Sequence, residues 1–200
     1  MNKNLLLKRI LFYVVSFTWG GLMSIIGAIV TLILLPFGKQ GIYHGRVYTA
    51  IGENWGGLEF GCFFICCNNY SEQLLAHEAG HGLQNCLWGP LFPFVIMIPS
   101  AIRYWIFQQR SMKDKQTFAI VITTVILLLA AATILLPILT GIAALFAVPV
   151  AITFYGCFIS YWLFCVELPL HTKGNPDYDD AWFEGQATNW GLEYIATDKI

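Results

Sequence analysis

The chain has 200 residues, 57% hydrophobic and only 12% charged, and its 11 basic and 12 acidic residues give a net charge of -1. Soluble domains carry about a quarter of charged residues, so this composition, with a mean hydropathy of +0.63, argues against an ordinary soluble domain. The 15 Phe, 9 Tyr and 7 Trp exclude disorder, and the near-neutral balance offers no footprint for nucleic acid. The expected partner is the lipid bilayer.

The first segment is 1–37. From 10 to 37 it carries no charged residue, and this exceeds the roughly 20 residues that a helix needs to cross a bilayer. Lys3, Lys8 and Arg9 precede it, as in a secretory signal. The apolar core is too long for one, and no small-x-small cleavage site follows. A retained anchor helix over 11–35 is expected.

The second segment is 38–115. Arg46-Val-Tyr-Thr-Ala-Ile51 and 58–66 are rich in strand formers and flank the turn-like Gly52-Glu-Asn-Trp-Gly-Gly57. They predict a β-hairpin. Ser71 predicts a capped helix over 72–85. The stretch 86–102 is uncharged but holds Gly89, Pro90, Pro93 and Pro99, which disfavour a straight helix. A buried or re-entrant segment is expected there.

The third segment, 116–166, is again uncharged and long enough for two spans. Pro137 and Gly141 mark the break, giving helices over 118–136 and 142–163, with a kink at Pro149. In the last segment, 167–200, Asn175-Pro-Asp signals a turn, and Asp179 or Asp180 can cap a helix over 181–195. The expected fold is a mostly α integral membrane protein, with about three transmembrane helices and a small α+β unit.

The chemistry concentrates in His77-Glu78-Ala79-Gly80-His81. Two His four apart share a helical face, so their imidazoles can bind one Zn²⁺. The intervening Glu78 can take a proton from a water on the metal, whose pKa zinc lowers toward ~7. Gly80 and Gly82 are poor helix formers and suggest that something approaches this helix closely. A third ligand must come from elsewhere: Glu53, Glu59, His171, Glu184 or Glu193. Glu184 stands out, because small residues at Ala181, Gly185, Ala187 and Gly191 would let its helix come close to another. Alone it would be an ordinary first-turn glutamate. Donors for a developing oxyanion could be Arg103, Tyr104, His171, Tyr178 or Tyr194.

The pattern resembles the gluzincin zinc peptidases, in which two His come from an HExxH helix and a Glu from a later helix. It is most similar to their integral-membrane members, whose later motif reads Glu-x-x-Ala-Asp-x-x-Gly. Here Glu184, Ala187 and Gly191 match, and Thr188 stands where the family has Asp. The resemblance implies His77, His81 and Glu184 as ligands of Zn²⁺, Glu78 as general base and a zincin-like α+β unit. It further implies a membrane-embedded metalloendopeptidase acting on a peptide or membrane-protein substrate. The Asp orients a ligand His in that family, and a hydroxyl is a weaker acceptor. Thr188 therefore also admits a non-catalytic membrane protein that keeps a zincin-like site for structural or regulatory use. Zincins bind extended substrates along an edge strand, for which 62–66 is one candidate; an ordinary core hairpin is the other reading.

Asn54-Trp-Gly-Gly57, 77–85, Gly89-Pro-Leu-Phe-Pro, Ile98-Pro-Ser-Ala-Ile-Arg-Tyr-Trp105 and 182–188 also resemble a family of small bacterial membrane proteins without assigned function. Within that pattern the 118–163 hairpin looks like an insertion. A shared metal requires an even number of crossings between 81 and 184, and the hairpin supplies two. Lys39, Arg46, Arg103, Arg110, Lys113, Lys115 and Lys173 outnumber Lys3, Lys8 and Arg9. The positive-inside rule, with unpaired Cys near the site that fit a reducing compartment, then favours a cytoplasmic site on a bacterial inner membrane.

Overall fold

The computed structural model of the chain describes residues 3–174 and 176–198; the expected turn at Asn175 begins outside them. The fold is mostly helical with one small four-stranded sheet. The described residues form two units, one running to Ser100 and resuming at Tyr178, the other Ala101–Asp177.

In the first unit, α1 (Lys3–Phe17) and α2 (Gly21–Leu34) replace the single anchor helix expected over 11–35. They meet at 89°. The break falls at Thr18-Trp-Gly-Gly21, a run of weak helix formers. The bent backbone is held by Asn85, whose Nδ2 donates to the Gly20 carbonyl at 3.4 Å. A Cβ on Gly20 would lie 2.4 Å from that same Nδ2, so a larger residue would displace the Asn85 amide.

The expected single hairpin is two hairpins. β1 (Lys39–Tyr43) and β2 (Arg46–Ala50) are joined by His44 and Gly45, with φ of 44° and 86°. Two successive positive φ values are what a tight hairpin turn needs. The stretch 58–66, read as one strand, folds back on itself at Gly61 (φ 74°) into β3 (Gly57–Phe60) and β4 (Phe63–Cys66). The sheet order is β1-β2-β4-β3. β2 and β4 run parallel, Val47 opposite Phe63 and Ala50 opposite Cys66. β4 is therefore interior, and the edge strand is β3, not 62–66.

α3 (Glu72–Trp88) starts at the expected cap, Ser71, whose Oγ accepts from the Leu74 N–H at 3.1 Å. It runs three residues beyond the expected end. The prolines then impose a 3-10 turn, Gly89–Leu91, and a π segment, Pro93–Met97, before α4 (Ile98–Gln108). A straight helix over 86–102 is indeed absent. After a 3-10 turn, Tyr178–Asp180, α9 (Trp182–Asp198) returns to pack on α3. One sheet face, with Tyr43, Ala50, Phe64 and Cys66, covers Leu75, Ala76 and Ala79 of α3 and Ile195 of α9. This core fixes α3 and α9 against the sheet, and β3 also packs on α3.

In the second unit, α5 (Met112–Thr133) is capped by Ser111 and continues into α6 (Leu135–Thr140). Gly141, with φ 68°, closes that helix. A 3-10 turn, Ala143–Phe146, leads into α7 (Ala147–Trp162), a π segment, Leu163–Glu167, and α8 (Leu168–Lys173). The expected break near Gly141 is present. Pro149 falls in the first turn of α7 rather than inside a longer helix, a position where proline is tolerated. Met112–Thr140 and Ala143–Lys173 are long and apolar enough to cross a membrane. Among the described residues such helices number two, or up to four if each bent pair counts as one span; the expected anchor is one of these bent pairs.

Candidate metal centre

Glycine brings the two site helices together. A Cβ on Gly80 would lie 1.8 Å from the Ala187 carbonyl oxygen, and one on Gly191 would lie 1.9 Å from that of Ala76. The backbones of α3 and α9 thus touch at both crossings, as the small residues of each helix suggested. At this separation the Glu184 carboxylate reaches the His pair. Its Oε2 lies 3.2 Å from His77 Nε2 and 3.3 Å from His81 Nε2. The two Nε2 atoms are 3.1 Å apart. His77, His81 and Glu184 form a group that could hold a metal ion.

The surrounding hydrogen bonds decide what these three atoms present to one another. Gln84 Nε2 donates to the Phe183 carbonyl at 2.7 Å and to Gln186 Oε1 at 3.0 Å. That fixes Gln84 Oε1 toward His81 Nδ1, 2.7 Å away. An amide oxygen only accepts, so Nδ1 of His81 carries the hydrogen. Thr188 Oγ1 donates to Asp179 Oδ1 at 3.1 Å. With its one proton committed, it accepts from His77 Nδ1 at 2.8 Å. In the neutral rings both Nε2 atoms therefore bear lone pairs, and both point at a carboxylate oxygen. Such a triangle repels itself unless a cation sits in it. Ligands at about 2.05 Å from a tetrahedral zinc ion are about 3.3 Å apart, close to the three observed edges.

A proton can substitute for the metal. Burial penalises a charged His81, but its hydrogen bond to Glu184 and the nearby carboxylates outweigh this and raise its pKa to about 9. Burial alone would raise Glu184, yet bonding to both rings holds it well below the ordinary carboxylate range. Apart from the two rings, neither Glu184 oxygen finds a donor among the described residues. Proton and metal ion compete for one set of lone pairs. Glu78 is 3% exposed and burial raises its pKa. It lies against β3, where a Cβ on Gly57 would be 2.5 Å from Glu78 Oε1.

No family model, no curated protein and no solved structure matches this chain.

Of the five candidates for the third ligand, only Glu184 reaches the His pair among the described residues. Glu53 and Glu193 are exposed. Glu59 is buried, and neither carboxylate oxygen finds a hydrogen-bond partner. His171 belongs to the second unit, bonded to Glu167 at 3.1 Å. Among the five possible oxyanion donors, Tyr178 has its ring 6.4 Å from that of His77. Tyr194 instead stacks on the Arg46 guanidinium, with 4.7 Å from its ring centre to Cζ. Arg103 pairs with Glu167, and Tyr104 lies with it in the second unit. Sequence reasoning missed three participants: Gln84, Gly57 and Asp179. Gln84 could have been found, since it follows His81 by three and so shares its helix face. Gly57 and Asp179 carry no local signal.

Proposed function

We propose that the chain is a membrane-embedded zinc metallopeptidase of gluzincin type. The observation that carries this reading is the convergence of two imidazole lone pairs and one carboxylate at 3.1–3.3 Å, with both Nδ1–H groups committed elsewhere. The two-His, one-carboxylate donor set suits Zn²⁺, and with three protein ligands it leaves a fourth position open. A zinc ion held there would supply a Lewis acid for a scissile carbonyl and an acidified water.

The remaining chemistry belongs to side chains. Glu78, dry and beside the His pair, takes the proton of the attacking water and passes it to the departing amine. Tyr178, on the turn before α9, is the proposed donor to the developing oxyanion. The β3 edge, Gly57–Phe60, runs beside Glu78 and would take an extended peptide through main-chain hydrogen bonds. Burial of Glu78 and Glu184 keeps competing water away and strengthens these interactions.

The membrane reading is supported by the two long apolar helices and by side chains such as Leu128, Leu139 and Phe154, which are 63%, 81% and 74% exposed. A surface so apolar is unfavourable in water. The substrate would then be a membrane-associated peptide or protein. We read the site as facing the cytoplasm of a bacterial inner membrane, from the seven basic residues in the polar segments that carry it, against three before the first apolar segment, and from the free state of all six Cys.

The test is Glu78→Gln in the full-length, detergent-purified protein. It should retain one zinc ion and lose cleavage of a membrane-protein or peptide library. Cleavage at the wild-type rate would remove Glu78 from the mechanism. Metal without cleavage in the wild type as well would favour a structural or regulatory site.

A further inference from the structure

Where the family motif carries Asp, this chain has Thr188, which removes the carboxylate that would orient a ligand His. A carboxylate nevertheless reaches the same imidazole by another route. His77 Nδ1 donates to Thr188 Oγ1 at 2.8 Å, and Thr188 Oγ1 donates to Asp179 Oδ1 at 3.1 Å. The two bonds form a chain in which each group has one role. Asp179 accepts, the hydroxyl passes the polarisation on, and the imidazole presents its lone pair through Nε2. We infer that Asp179 is a positioning residue for the metal centre, acting on His77 through the hydroxyl of Thr188. The inference rests on the metal-site reading above.

Two independent features support it. First, the turn that carries Asp179 is built into α9 rather than laid on it. A Cβ on Gly185 would lie 2.6 Å from the Asp179 carbonyl oxygen. Only glycine at 185 allows Tyr178–Asp180 to sit this close, so the Asp179 carboxylate is held above the second turn of α9. Second, His81 has its own counterpart in Gln84, fixed by two further bonds. Each ring thus has one dedicated Nδ1 acceptor, and each acceptor is itself held in place. Metal-ligating His residues are commonly oriented in this way, and such outer partners are worth roughly 10–100-fold in metal affinity. The two arms differ in strength. A neutral amide holds His81, whereas a carboxylate, one hydroxyl removed, polarises His77. The same turn brings Tyr178 beside the His77 ring, so loosening it would disturb both the ligand and the proposed oxyanion donor.

The test uses zinc affinity, measured by chelator competition on the purified full-length protein, and the visible spectrum of the Co²⁺-substituted protein. Asp179→Asn and Thr188→Val should each weaken zinc by about 10-fold or more and alter the Co²⁺ bands. The double variant should be no weaker than Thr188→Val alone, because the two act in series. Thr188→Ser should stay near wild type. In the Asp179→Asn background, Thr188→Asp should restore affinity by offering His77 a carboxylate directly. Asp179→Asn lies at an exposed position, so its folding is not at issue if Thr188→Val proves unstable. Wild-type affinity in Asp179→Asn, or additive losses in the double, overturns the relay while leaving the metal site intact. A wild-type protein that takes up neither ion overturns the metal site and the relay together.

Discussion

Gly191→Ala puts the whole arrangement under strain at one point. The added methyl carbon would lie 1.9 Å from the Ala76 carbonyl oxygen and 2.7 Å from its carbon. Ordinary contact begins at about 3.5 Å, so α9 must move away from α3 by about 1.6 Å. Nothing soft is available to absorb this, because the clash is with helix backbone. Glu184 rides on α9, and its Oε2 now stands 3.2 and 3.3 Å from the two ring nitrogens. After the shift one ion could no longer reach all three atoms at about 2.0–2.2 Å. Overpacking of this kind costs about 1–3 kcal/mol of stability. A displacement of about 1 Å at a reacting centre costs about 100-fold in rate. The assay is zinc affinity by chelator competition, alongside thermal unfolding. Gly21→Ala is the control, since a Cβ there meets nothing within 4 Å, and it should change neither. Wild-type zinc affinity in Gly191→Ala would refute the claim that backbone contact between α3 and α9 sets the site.

Three further outcomes follow from other contacts. Gly57→Ala pushes on Glu78 but touches no ligand, so zinc content should hold while cleavage falls by about 100-fold for a shift near 1 Å; loss of zinc would contradict this separation. Glu59 is 2% exposed, and burial raises its pKa well above the ordinary value, with Glu78 adding to the rise and His81 opposing it. The folded state therefore binds that proton more tightly than the unfolded chain, so the contribution to stability is present at acid pH and is lost as pH climbs through the folded pKa. Glu59→Gln should flatten the wild-type fall in urea stability as pH rises above the ordinary carboxylate range, and an unchanged slope would refute it. Single cysteines at the exposed positions Glu53 and Asn189, in a cysteine-free background, should react with an impermeant maleimide only after the inner membrane is opened. Labelling of either in intact spheroplasts would contradict a cytoplasmic site.

The site was more legible than the fold around it. His77 and His81 announce themselves by spacing alone, because a helix fixes what four residues mean. Glu184 needed a second argument, that small residues on its helix permit close approach, and the contacts of Gly80 and Gly191 bear this out. The sheet was read poorly for a physical reason. Strand propensity in 58–66 is continuous, and only Gly61 betrays the reversal; parallel pairing of β2 with β4 is a long-range choice that no local pattern encodes. The N-terminal bend is similar, since the side chain that bonds its backbone, Asn85, lies sixty-five positions away from Gly20. A proline's effect depends on where the helix starts, and the 3-10 turn before α7 puts Pro149 near that start instead of well inside the helix expected over 142–163. The Asp179 relay was invisible for the same kind of reason: a carboxylate on a turn says nothing of the hydroxyl above it.

The central claim is that one zinc ion sits among His77, His81 and Glu184. Elemental analysis of the purified full-length protein tests it most directly, with wild type beside His81→Ala and Glu184→Ala after equal exposure to zinc. About one zinc ion per chain in the wild type, and almost none in either variant, is the expected result. Equal zinc in all three, or none in the wild type, would contradict it.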